Sequence, residues 1–113
     1  MTEFPLGELA NWLHQNPPHL REVLGAVCEV YHIDPCEISR RKVRYQRDVF
    51  LFVASDWAGY PTSRLAEVCD TDTVSIANSV FNMANRVNKD KDLRSELYLI
   101  AAMLAERVLA RGR

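Results

Sequence analysis

The 113 residues are 48% hydrophobic and 26% charged, a balance that suits one globular domain around a single core and leaves no room for two. Fourteen Lys and Arg against fifteen Asp and Glu give a net charge of −1, which excludes a uniformly basic protein that coats nucleic acid but leaves room for a local basic site. No run of about eighteen apolar residues occurs, and the N-terminus lacks a basic segment followed by an apolar stretch, so the expected location is the cytoplasm, with no membrane partner.

Taken in chain order, the pattern reads as helices throughout. Residues 1–19 form an N-terminal extension or short helix around Leu6, Leu9, Trp12 and Leu13, which the pair Pro17-Pro18 sets off as a hinged appendage. The domain proper is expected over 20–113. Leu20, Val23, Leu24, Val27, Val30 and Tyr31 recur at three-and-four spacing and define one helical face. Asp34 before Pro35 caps a short second helix, because proline suits the first helical position and the carboxylate accepts from an orphan amide. A third helix is predicted from about Arg47 to Ala58, with Val49, Phe50, Phe52, Val53 and Trp57 inward and Gly59 as its stop. Thr62 or Ser63 caps a fourth, a fifth runs from about Thr73 to Asn88, and a sixth from about Lys91 to Ala110 carries the stripe Leu93, Leu97, Ile100, Ala101, Leu104 and Val108. The expected class is all-α, with about six helices.

Charge is unevenly distributed. Residues 1–38 hold six acids against Arg21, whereas "SRRKVRYQR" at 39–47 holds Arg40, Arg41, Lys42, Arg44 and Arg47 with no acid. Five cations within eight positions suit a phosphate backbone. Taken alone, they equally suit a solvated charge run.

The stretch "RLAEVCDTDTVSIAN" at 64–78 reads as two helices joined by a short acidic turn, the pattern of a helix-turn-helix. Leu65 and Ala66 face the partner helix, Cys69 closes the first helix, and Asp70 takes a turn position that aspartate tolerates in the left-handed region. On the second helix Ile76, Val80, Met83 and Val87 form the apolar face. Ser75, Asn78, Ser79, Asn82 and Arg86 lie opposite, and asparagine pairs with adenine N6 and N7 in the major groove.

These residues resemble the C-terminal DNA-binding domain of the bacterial chromosomal replication initiator, DnaA. The likeness covers about residues 20–108 through "VYHIDPCEISRRKVRYQRDVFLFVASDWAGYPTSRLAEV" and "DTDTVSIANSV"; the family's ATPase domain is missing. The resemblance implies a Trp-repressor-like helix-turn-helix fold that binds double-stranded DNA. It places phosphate and minor-groove contacts on Arg40, Arg41, Lys42, Arg44 and Arg47, and base reading on Asp72, Thr73, Val74 and Ser75, with Asn78 and Asn82 further along. It also implies a regulator of replication initiation or transcription, or an accessory factor of a phage or mobile element, with a replication or regulatory protein as a second partner. Where the family signature reads Arg-Asp-His-Thr-Thr-Val, this chain keeps Asp72 but has Thr73, Val74 and Ser75, so the family's base donors do not carry over intact. Asp72 is expected to cap the second helix.

Other chemistries find little support. Cys28, His32 and Cys36 sketch a metal site but span a Pro-containing break and lack a fourth ligand; the three cysteines are read as reduced thiols. There is no glycine-rich phosphate loop and no nucleophile elbow, so neither an enzyme, a cofactor nor a small-molecule substrate is expected. The alternative function is a protein-interaction module that keeps the fold with weakened DNA binding, docking through the acidic N-terminal segment and an exposed Trp12 surface.

Overall fold

The computed structural model describes residues 6–38 and 41–111, with the side chain of residue 41 left out. Among these residues the chain is helical throughout and has no strand: α1 (Leu6–Gln15), α2 (Leu20–Tyr31), a 3₁₀ turn (Pro35–Glu37), a second 3₁₀ turn (Arg41–Val43), α3 (Arg44–Phe52) running directly into a π-helical turn (Val53–Trp57), then α4 (Thr62–Cys69), α5 (Thr73–Val87) and α6 (Lys91–Arg111). The expected six-helix, all-α class is what the chain adopts.

The centre of the molecule is α3. Every residue from Val49 to Ala54 is buried, so this segment is wrapped on all sides, as a helix apolar all round requires. Helices α2, α5 and the π turn pack on it, and α6 packs on α2. The expected inward residues are indeed buried, but the helix starts at Arg44, three positions before the predicted start, which puts Arg44 and Arg47 on the helix itself. Its end is a wide turn, with Ala58 N–H donating to the Val53 carbonyl and Gly59, at φ 76°, turning the chain. A left-handed φ is why glycine stands there.

Helix α1 corrects the hinge expectation. Leu13 is fully buried, and Leu6, Leu9, Ala10 and Trp12 pack against the core. The helix lies along α6 and against the π turn. Pro17 and Pro18 interrupt the helix without releasing the segment. Tyr60 Oη donates to the Pro18 carbonyl (3.2 Å), and the guanidinium of Arg111 reaches the Pro17 carbonyl (3.4 Å). Both anchors hold the bend against the domain.

The caps follow from the local sequence. His19 N–H donates to Glu22 Oε1 (2.7 Å) at the start of α2, and Asp34 accepts from Cys36 N–H (3.0 Å), as its place before proline predicts. The helix predicted there is a single 3₁₀ turn. Neither Thr62 nor Ser63 caps α4; Pro61 occupies the cap position with extended backbone, and its carbonyl accepts from Arg64 and Leu65 N–H.

Candidate nucleic-acid interface

The α4–α5 connection is short and held by its own backbone. Asp70 adopts the left-handed conformation at φ 52°, and Thr71 N–H closes back onto the Ala66 carbonyl (3.0 Å). Aspartate is one of the few non-glycine residues that enter this region readily. Asp72 Oδ1 then accepts from Ser75 N–H (2.7 Å), starting α5 as predicted. That amide bond holds the Asp72 carboxyl below its ordinary pKa, because it favours the ionised form.

Helix α5 buries Ile76 and Met83, with Val80 and Val87 packed at the margin of the core. The expected reading residues are all on its outer surface: Thr73, Val74, Ser75, Asn78 and Asn82 are exposed. Two large apolar side chains stand among them, Val74 and Phe81, each 67% exposed. Sequence reasoning placed a reading role on Val74 but missed Phe81, although Phe81 lies off the Ile76, Val80, Met83 and Val87 face and so had to point elsewhere. The only charged residue in the helix is Arg86.

The basic segment enters beside the other end of α5. Arg86 lies 5.0 Å over the Tyr45 ring and donates from Nε to Asp90 (3.2 Å), so the start of α3 meets the last turn of α5. Tyr45 is fixed from the opposite side. Its hydroxyl and that of Tyr31 both donate to Glu96 Oε1, at 2.6 and 2.7 Å, and the two rings meet edge to face at 5.8 Å. Burial, then the Glu96 hydrogen bond, push Tyr45 up to about 12, and Tyr31 is raised by the same causes in the same order. This arrangement ties α2, α3 and α6 together at the residue that follows Arg44.

Within the basic set, Arg40 lies outside the described residues and Arg41 opens the second 3₁₀ turn. Lys42 is exposed and reaches Glu37 (3.4 Å). Arg44 is exposed on the first turn of α3. Arg47 is half-buried, near enough to Cys69 for its charge to oppose the burial that pushes that thiol up to about 11. Of the described cations, Arg47 is thus near the end of α4 and Lys42 beside Glu37, while Glu67, Asp70 and Asp72 mark the entrance of α5. Two arginines outside the predicted set, Arg21 and Arg64, line a surface depression of about 280 Å³ with His19 and Tyr60 near the start of α4. Nothing in their spacing, 43 positions apart by number, signalled their meeting.

Cys28 is buried while Cys36 is exposed, its Sγ donating to Asp34 (3.0 Å). Among the described residues no His, Cys, Asp and Glu group is arranged to hold a metal, and no helix is long and apolar enough to cross a membrane. Trp12 is half-buried instead of forming an exposed patch. It lines an apolar groove of about 420 Å³ between α1 and α6, with Leu9, Ala105 and Leu109.

No family model matches the chain, and neither a curated protein nor a solved structure does.

Proposed function

We propose that this protein binds double-stranded DNA as a helix-turn-helix, with α4 bracing α5 and α5 entering the major groove, and that it regulates replication initiation or transcription. The observation that carries this reading is the outer surface of α5. From Thr73 to Asn82 it presents short hydrogen-bonding and apolar side chains with no charge, a composition that matches the donors, acceptors and methyl groups of base edges. Phosphate attraction is supplied from its flanks. Tyr45, next to Arg44 on the first turn of α3, meets the last turn of α5 at Arg86, and Arg21 and Arg64 lie near the start of α4, the helix that crosses the backbone in this kind of docking. The DnaA-like phrases noted in the sequence support the same placement. They also explain the acidic entrance: Asp72 is the cap of α5, and its charge is satisfied by an amide of the helix it starts.

The test is fluorescence anisotropy with duplexes carrying the DnaA nine-base-pair box or a scrambled sequence, each across a salt series. Binding that weakens steeply with salt is expected. Replacing Lys42, Arg44 and Arg64 together by alanine lowers the logarithmic salt slope by about 3, at about 0.9 per phosphate contact. No binding to either duplex at low salt sinks the reading. The groove at Leu9, Trp12, Ala105 and Leu109 then favours the second reading, a module that docks a protein partner.

A further inference from the structure

Two rows of side chains run side by side along the outer surface of α5. The first is Val74, Ala77 and Phe81, all exposed. The second is Ser75, Asn78 and Asn82, also exposed. Both follow the three-then-four step that keeps residues on one helical ridge. The first row is purely apolar, the second purely hydrogen-bonding. Neither contains Arg or Lys, the usual readers of guanine O6 and N7, and the one cation of the helix, Arg86, is engaged by Asp90 and the Tyr45 ring.

The two rows correspond to the two halves of an A·T pair seen from the major groove. Thymine presents its C5-methyl group there, which takes apolar contacts; adenine presents N7 and N6, which an asparagine amide matches with one acceptor and one donor. From Val74 to Phe81 is seven residues, about 10 Å of helix rise, or about three base-pair steps. Because the rows are parallel and never exchange sides, the methyl groups that they match lie on one strand and the adenines on the other.

Resting on the DNA reading above, we infer that α5 selects a short run of A·T pairs with the thymines on a single strand. Val74, Ala77 and Phe81 contact the thymine methyl groups, and Asn78 and Asn82 the adenine edges. Phe81 is a specificity residue in this assignment, since its ring reaches furthest from the helix axis on the apolar row.

The experiment uses the full chain and four duplexes of equal length: a run of about four A·T pairs with all thymines on one strand, the same duplex with deoxyuridine in place of thymidine, the same pairs with thymines alternating between strands, and a G·C run. Deoxyuridine removes only the methyl groups. Affinity is expected to fall about fourfold for each contacted methyl lost, the worth of one buried methyl-sized group, and to fall further on the alternating and G·C duplexes. In Phe81→Ala the thymidine-to-deoxyuridine difference shrinks while binding to the deoxyuridine duplex is little changed. A merely structural role for Phe81 would weaken both duplexes alike and overturns its assignment. Equal, salt-sensitive binding to all four duplexes overturns the A·T inference and leaves DNA binding standing. Binding to none at low salt overturns both.

Discussion

Helices α3 and α5 lie against each other and use their residues in opposite ways. From Val49 to Ala54 no residue of the α3 segment reaches solvent to any extent that matters, whereas α5, fifteen residues long, buries only Ile76 and Met83. In α3 nearly all the apolar surface is turned into core. In α5 large apolar groups are left outside, with poor helix formers such as Asn, Ser and Thr around them, at a cost of a few tenths of a kcal/mol each. Exposed leucines also occur on α6, at Leu99 and Leu109, and single exposed apolar residues are ordinary; what sets α5 apart is how little of it is turned into core.

The contrast is sharpest at two phenylalanines. Phe50→Ala empties a fully buried site and should lower stability by about 3–5 kcal/mol, read from urea or thermal unfolding. A loss under about 1 kcal/mol would mean that α3 is not the core element described. Next in size is the tie behind the basic segment. Tyr45→Phe removes one hydroxyl from Glu96 and should cost about 1–2 kcal/mol, with the circular dichroism spectrum unchanged.

The cap of α5 gives a smaller effect with a defined pH dependence. Because the folded state lowers the Asp72 pKa, this carboxylate contributes stability above its unfolded value of about 3.9. That contribution is lost as pH falls through the depressed folded pKa. The stability gap between the native chain and Asp72→Asn should therefore be widest at neutral pH and close in acid. A gap that widens in acid would refute the cap assignment. The smallest expected effect is Phe81→Ala, within about 0.5 kcal/mol of the native chain, since the ring is 67% exposed. A large loss would erase the contrast between the two helices.

How much of this was legible depends on whether the signal was local. The α6 stripe from Leu93 to Leu104 repeats at helical spacing, and its helix came out within one residue at its end. Asp34 and Asp72 read correctly as caps because a cap lies within three residues of the amide it serves. Pro17-Pro18 misled, since a proline pair says that a helix stops but not whether the preceding one packs; Leu13 decides that, and its burial depends on α6. The Tyr31, Tyr45 and Glu96 contact joins residues 51 and 65 positions apart, and Arg21 meets Arg64 only through the fold. Neither has a signature in spacing. For α5, the polar face was visible as the complement of the apolar one, while Phe81 carries no hydrogen-bonding group and so has no signal of its own beyond lying off the apolar face.

The π turn at the end of α3 also governs how the chain leaves the core. A π turn holds about one residue more than an α-helical turn, and this one ends the helix, leading through Ala58 to Gly59. Across it Val53, Ala54 and Trp57 remain buried while Asp56, its one charged residue, is exposed. The most enclosed helix of the molecule therefore ends with an aromatic side chain still seated in the core and its charge on the exposed side.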